Sequence, residues 1–306
     1  MIDSYGRPVN SIRVSVTKEC NLNCFYCHRE GIKGEKDILI PEDFETLFKV
    51  VSSLGIKKIK FTGGEPLERG DLEDIIKISK KYFNDISLTT NGTYLKSRVW
   101  SLYDAGLNRI NISLHTLDRE TYKKITGMDF LPRVLDGIQE SLKTPLNPIK
   151  INMVLMRGLN DNQINEMMEF VKNSKMVLQI IELEVPVEGE KTPWYIKYHV
   201  PLDNVEKYLR SFNPEIRKNP LHNRDKFLIK NNGSKYEIEL VKPMHNTEFC
   251  KNCTRMRFTY DGKLKPCIFR NDNLVPVLDE LKSGNEEKLK EKFELAVKLR
   301  EPYWRD

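Results

Sequence analysis

Three cysteines follow the first strand-like run of the chain, in the frame Cys20-Asn-Leu-Asn-Cys24-Phe-Tyr-Cys27. Thiolates spaced in this way can hold three irons of a cubane 4Fe–4S cluster and leave the fourth iron without a protein ligand. An open iron lets a cluster bind and reduce a small molecule, where a fully ligated one only stores an electron. Two other chemistries share part of the frame. Cys24-Phe-Tyr-Cys27-His28 fits the haem-attachment pattern. That reading wants a secretory leader, which Met1-Ile2-Asp3-Ser4-Tyr5 does not begin, and it leaves Cys20 without a role. Cys-x2-Cys is also zinc spacing, so a structural zinc site stays open at this point.

The remaining cysteines form a second trio, Cys250, Cys253 and Cys267. Between them Asp261-Gly262, flanked by alternating residues, marks a hairpin within 250–267. Folding there returns Cys267 beside the segment that leaves Cys253. A zinc ribbon wants four ligands, and His245 could be the fourth. A second cubane with another open iron accounts for two sets of three. Six cysteines among 306 residues, with no leader, point to a reducing cytoplasm and to metal or redox use.

A scaffold must position these groups. Residues 12–17, 58–62, 85–89, 109–113, 149–155 and 177–184 read as strands, with helical spacing between them. Phe44, Leu47, Phe48 and Val51 mark one such helix face, and Leu95, Val99, Leu102 and Tyr103 another. Thr93 is the expected N-cap of the second helix and Gly106 its stop; Asp71 is the expected cap of the helix carrying Ile75, Ile76 and Tyr82. Six βα units give an α/β fold, an incomplete (βα)6 TIM-like barrel over 1–185, with room for a large substrate. Residues 186–306 form a C-terminal extension carrying the second cluster, and 186–245 within it are polar and rich in turn formers.

The strands alternate, where strands buried on both faces read as continuous apolar runs. Arg13, Ser15 and Thr17 interleave with Ile12, Val14 and Val16; Lys58, Lys60 and Thr62 with Ile59 and Phe61. Asn111, Ser113 and His115, then Lys150 and Asn152, repeat the pattern. If the apolar set lies under the helices, the polar set lines the lumen and Arg13, Lys60 and Lys150 converge there. Unpaired cations in a lumen are costly, so the sequence predicts a ligand bearing phosphate or carboxylate. The loops expected at the C-terminal strand ends carry Thr62-Gly63-Gly64-Glu65-Pro66 and Thr89-Thr90-Asn91-Gly92. The glycines allow close backbone approach to a ligand, and Glu65 could accept from its ammonium or ribose. Lys and Arg number 50 against 44 Asp and Glu, a net +6, too mild to argue for nucleic acid. No run of 18 apolar residues exists, so no membrane span is expected.

The first cysteine frame resembles that of the radical S-adenosylmethionine (SAM) superfamily, in which the open iron grips SAM and reductive cleavage releases a 5′-deoxyadenosyl radical. A closer resemblance rests on Arg13-Val-Ser-Val-Thr-Lys-Glu-Cys20, Thr62-Gly-Gly-Glu-Pro-Leu, Thr89-Thr-Asn-Gly and Cys253-Thr-Arg255-Met-Arg257 with Asp261-Gly262. Over residues 12–270 the chain is similar to the GTP 3′,8-cyclase family, which catalyses the first step of molybdenum-cofactor biosynthesis. The resemblance implies two 4Fe–4S clusters, on Cys20, Cys24 and Cys27 and on Cys250, Cys253 and Cys267. It implies SAM contacts from Tyr26, Gly64 and Ser113, and GTP contacts from Arg13, Lys60, Thr90, Lys150, Arg255 and Arg257. A radical formed at ribose C3′ would add to guanine C8, giving (8S)-3′,8-cyclo-7,8-dihydroguanosine 5′-triphosphate. A downstream enzyme would complete the pyranopterin, and an electron donor is needed.

The sequence departs from the family in two places. The last barrel strand reads Gln179-Ile-Ile-Glu182-Leu-Glu184, where members carry an arginine and later a methionine facing the substrates. Many members end in Gly-Gly, whereas this chain reads Tyr303-Trp304-Arg305-Asp306. Two rival functions make different predictions. A peptide-modifying radical SAM enzyme would cleave SAM indifferently to GTP, and a zinc interaction protein would be colourless.

Overall fold

The computed structural model describes residues 1–31, 39–231 and 233–305. Asp306 of the C-terminal run lies outside them. Six parallel strands form the frame: β1 (Ser11–Ser15), β2 (Lys58–Thr62), β3 (Asp85–Thr90), β4 (Arg109–Ser113), β5 (Ile149–Leu155) and β6 (Met176–Glu182). Helices α1 (Pro41–Ser53), α2 (Leu72–Ser79), α3 (Leu95–Ala105), α4 (Arg119–Thr126), α5 (Leu131–Lys143) and α6 (Ile164–Val171) fall in the connections. The observed strands match the expected ones to within two residues at either end.

The alternating pattern has the predicted consequence. Ile12, Val14, Ile59, Phe61, Ile110, Ile112, Ile149, Ile151 and Met153 are buried in one core with Phe44, Leu47, Phe48 and Val51 of α1. Burying a side chain of this size contributes about 1.5–3 kcal/mol, which makes the outward face the one that fixes register. The opposite face is left to the polar residues. Asp43 supports the start of α1 by accepting from the Ile40 amide at 2.8 Å, and Pro41 takes its first position.

Two expected caps differ. Helix α3 begins after Tyr94, and Thr93 instead bonds to Asn91 and Asn21. Asp71 precedes α2, but its carboxylate is taken by Arg69 and makes no capping bond. Gly106 ends α3 in the left-handed conformation, φ +119°.

The polar stretch 186–245 is more ordered than its composition suggests. It holds α7 (Pro193–Tyr198), α8 (Asp203–Arg210) and an antiparallel meander of β7 (Glu215–Asn219), β8 (Arg224–Asn231) and β9 (Ser234–Val241). Strand β9 then lies parallel to β6. After α9 (Thr247–Lys251), strand β10 (Arg255–Phe258) lies parallel to β1 on the other edge. The Asp261-Gly262 turn joins it to β11 (Lys263–Lys265), antiparallel as expected, followed by β12 (Val275–Pro276), α10 (Leu278–Ser283) and α11 (Glu286–Lys298). One sheet therefore runs β12-β11-β10-β1-β2-β3-β4-β5-β6-β9-β8-β7. Its ends are not paired to each other among the described residues, so the barrel stays open, and the C-terminal segments extend both of its edges. Among the described residues no helix is long and apolar enough to cross a membrane.

Candidate active site

The first cysteine trio sits on the loop leaving β1, braced from three directions. The amides of Asn23 and Phe25 donate to Thr126 and Ile125 at the end of α4, at 2.9 and 3.2 Å. Asn21 exchanges bonds with Asn91 (2.7 Å) and Thr93 (2.9 Å) of the loop after β3. The Gly63-Gly64 loop after β2 closes the third side, with Gly64 N on Thr17 O at 2.8 Å and Glu65 N on Glu19 O at 2.7 Å. A Cβ on Gly64 would stand 2.2 Å from the Glu19 carbonyl oxygen. The glycine is therefore required by the backbone that carries the cysteines, and it is absent from the cavity wall described below.

Glu65 also has a different role from the expected one. Its carboxylate is buried and accepts from Leu67 N (2.9 Å), Thr90 Oγ1 (2.6 Å) and Asn91 N (2.6 Å). Burial pushes it up to about 7 against these bonds. It pins the loop after β2 to the end of β3, with both oxygens engaged. The Thr90 hydroxyl, expected at GTP, donates to Glu65 and accepts from Gly92 N at 3.0 Å. Thr89 is the residue of that strand end that faces the cavity.

None of the six cysteines is in a disulfide. Burial, then the neighbouring Cys27 and Cys20, push Cys24 up to about 12, and burial pushes Cys20 to about 11. In the second trio Cys267 is raised by burial and by Cys253 and Cys250. Cys253 is the exception: burial would raise it, but Arg300 and Arg255 hold it below its ordinary value. Among the described residues no three His, Cys, Asp or Glu side chains form a group able to hold a single metal ion. A cubane spreads its ligands over separate irons, a wider set than one ion needs. Two trios of thiols that raise one another's pKa fit that demand, and bound metal would deprotonate them outright. His245 does not join the second trio; its Nε2 faces Glu190 at 2.7 Å and its ring packs on Trp304.

Arginines that the sequence reading passed over hold the second trio. Arg300 is fully buried and donates to Cys253 O (2.6 Å) and Arg7 O (3.2 Å); Arg7 donates to Cys250 O (3.2 Å). Asp3 neutralises both, at 2.8 Å to Arg7 and 3.1 Å to Arg300. The backbone amide of Trp304 points at Cys250 Sγ, 3.4 Å away.

Between the two trios lies a cavity of about 490 Å³. Tyr26, Ser113 and His115 line it on one side and Cys250, Cys253 and Cys267 on the other; Arg13, Lys58, Lys60, Lys150, Arg255 and Arg257 also reach it. Cys20, Cys24 and Cys27 lie behind Tyr26 and outside its wall. The Val154 amide donates to His115 Nδ1 at 3.1 Å, which puts the imidazole proton on Nε2, facing the Tyr26 hydroxyl. Burial drops His115 to about 4, so it is neutral. The Tyr26 hydroxyl is in turn bonded to Cys24.

The cations are better partnered than the alternation alone implies. Lys150 is paired with Glu239, which also holds Arg224 at 2.8 Å and Asn219 at 2.7 Å. Arg13 and Arg257 share Glu30, at 3.5 and 2.7 Å. Among the described residues Lys60 bonds only the Asn111 amide oxygen, at 2.9 Å, and it is held well below its usual value by burial and by Arg13 and Arg255. Arg255 has no carboxylate partner among the described residues. Gln179 and Glu184 line the cavity, Glu184 facing His28 at 3.7 Å. Strand β9, which carries Glu239, was findable: Tyr236-Glu-Ile-Glu239-Leu alternates as a strand does.

Comparison with known proteins agrees with this architecture. The Radical SAM superfamily model matches residues 14–171, and the Molybdenum Cofactor Synthesis C model matches residues 176–305. A probable GTP 3′,8-cyclase of Thermococcus kodakarensis is 47% identical, with 100% of each chain covered. One from Pyrococcus abyssi is 46% identical over 99% of each chain, and one from Methanothermobacter marburgensis 45% identical over 99% of this chain and 98% of its own. Among solved structures, Streptococcus suis SuiB bound to precursor peptide SuiA aligns with a TM-score of 0.65 at 16% identity, covering 97% of this chain and 66% of SuiB. anSMEcpe with bound AdoMet aligns at 0.63 and 18% identity, covering 92% and 82%. At such identities the structures speak for the fold alone, whereas the full-length sequence matches carry the family. The chain belongs to the GTP 3′,8-cyclase family of radical SAM enzymes.

Proposed function

We propose that this chain cyclises GTP to (8S)-3′,8-cyclo-7,8-dihydroguanosine 5′-triphosphate, joining ribose C3′ to guanine C8, as the first step of molybdopterin biosynthesis. The observation that carries the reading is one cavity set between two cysteine trios and lined with arginine and lysine, in a chain matched from end to end by relatives of that name. Cys20, Cys24 and Cys27 would hold a 4Fe–4S cluster that leaves an iron for SAM, and Cys250, Cys253 and Cys267 a second cluster. A reduced cluster with SAM supplies an organic radical, one-electron chemistry that no side chain of the cavity can provide.

The chain's own residues bind, orient and shield. Arg13, Lys60, Arg255 and Arg257 form the anion-binding wall for the triphosphate, with Lys150 beside them on its Glu239 partner. Ser113 and the Tyr26–His115 pair bound the SAM side. Gly64 serves SAM indirectly, by letting the loop after β2 close on the cysteine loop, and Thr90 does so through Glu65. The barrel wall excludes water from a radical that would otherwise be quenched. The extension, residues 186–306, completes the substrate side of a barrel formed by 1–185. A reducing cytoplasm, an electron donor and a downstream pyranopterin-forming enzyme complete the setting.

The test is anaerobic reconstitution with iron and sulfide, then product analysis with SAM, dithionite and GTP. A cyclised nucleotide and two clusters per chain support the reading; SAM cleavage without nucleotide product removes GTP as substrate.

A further inference from the structure

Strands β10, β1 and β2 put three cations at one level of the cavity wall. Arg257, Arg13 and Lys60 are register partners across the two parallel pairings. Like charges directly opposite in a sheet repel, and removing them from water adds to the cost. Among the described residues one carboxylate is ion-paired with the row. Glu30 Oε2 accepts from Arg257 at 2.7 Å, and its Oε1 accepts from Thr62 Oγ1 at 3.0 Å and faces Arg13 at 3.5 Å. The match is incomplete, because the Arg13 contact is long and Arg13 Nε is buried without a hydrogen-bond partner among the described residues. The two cations beside it, Lys60 and Arg255, have no carboxylate among the described residues.

We propose that Glu30 is a built-in stand-in for a phosphate: it fills the anion position between Arg13 and Arg257, and a polyphosphate binds by displacing it. The proposal rests on the reading of this cavity as a triphosphate site. Glu30 lines the cavity, so a phosphate seated on the same guanidiniums would meet its charge at contact distance. Arg13 and Arg257 hold Glu30 ionised, down at about 2 against the upward push of burial, so protonation gives no relief at ordinary pH. Residues 29 and 30 take left-handed φ of +48° and +52°, unfavourable for residues with side chains. Contacts to the arginines therefore hold an unfavourable backbone that a competing anion would release. Glu30 follows Cys27 by three positions, so displacement would also reach the loop that carries the first trio. In this role Glu30 is a specificity residue: a ligand must bring enough negative charge to replace it.

The test measures binding of inorganic tripolyphosphate and of guanosine to the reconstituted enzyme by calorimetry. Glu30→Gln should bind tripolyphosphate more tightly, on the order of tenfold, the scale of one charge-assisted bond no longer broken. Guanosine affinity should not change. Thr62→Val, which removes one support of Glu30 and leaves both arginines, should shift tripolyphosphate the same way by less. Equal or weaker tripolyphosphate binding in both variants overturns the proposal, since Glu30 would then be arranging the arginines for the ligand. Failure of the underlying reading looks different: Arg257→Ala would bind tripolyphosphate as tightly as the unaltered enzyme.

Discussion

Arg13 and Arg257 stand opposite one another in register, on neighbouring parallel strands drawn from the two ends of the chain. One precedes the first cysteine trio and the other lies between members of the second. Their pairing makes a single cationic wall out of the barrel and its extension. Arg257→Ala should therefore leave both clusters in place and weaken GTP binding by about 1–3 kcal/mol. Iron content and GTP affinity measured together check this; unchanged affinity would take Arg257 out of the site.

Cys267→Ser should separate the two cluster sites. Cys267 belongs to the trio held by Arg7 and Arg300, away from the loops that brace Cys20, Cys24 and Cys27. The variant should keep about half of the iron and still cleave SAM without cyclising GTP. Iron analysis and 5′-deoxyadenosine quantification would show whether the sites are separable; complete iron loss would say they are not.

Gly64→Ala should be severe although it adds one methyl group. Its Cβ would meet the carbonyl oxygens of Glu19 at 2.2 Å and Lys18 at 2.4 Å, both backbone atoms that cannot turn away. The loop after β2 would have to shift, breaking the hydrogen bonds that the Gly64 and Glu65 amides donate to Thr17 and Glu19, each worth about 0.5–1.5 kcal/mol. A lower melting temperature and loss of SAM cleavage are expected, and wild-type behaviour in both would contradict this account of the glycine.

Lys60 gives the pH dependence. Burial and the neighbouring Arg13 and Arg255 depress its pKa in the free enzyme, while a bound polyanion favours its charged form. Binding of GTP should then take up protons, and affinity should fall as pH rises through the depressed value. Calorimetry in buffers of different ionisation enthalpy measures the uptake. Lys60→Arg, which stays charged, should abolish it; the same uptake in that variant would assign it elsewhere.

Strands β1 to β5 were legible because each carries its own two-residue alternation, and a slip of one residue would expose Ile12, Ile59 or Ile110. The same alternation pointed to Arg13, Lys60 and Lys150 as lumen residues. Their partners were not legible. Glu30 and Glu239 are ordinary acids by sequence, and only the apposition of β10 on β1 and β9 on β6 gives them those neighbours. The bond between Glu65 and Thr90 was not legible for a related reason. Both sit at strand ends where ligands bind, but a short buried carboxylate beside three donors is satisfied by its own loops. Arg300 carried no local signal, since its two carbonyl partners come from segments distant in the chain.

The most direct test of the central claim is 5′-deoxyadenosine formation by the anaerobically reconstituted enzyme, with dithionite and SAM, in the presence and absence of GTP. The cavity between the two trios predicts a GTP-dependent rise accompanied by a 3′,8-cyclised nucleotide. Cleavage of SAM at the same rate without GTP, and no new nucleotide, would contradict it.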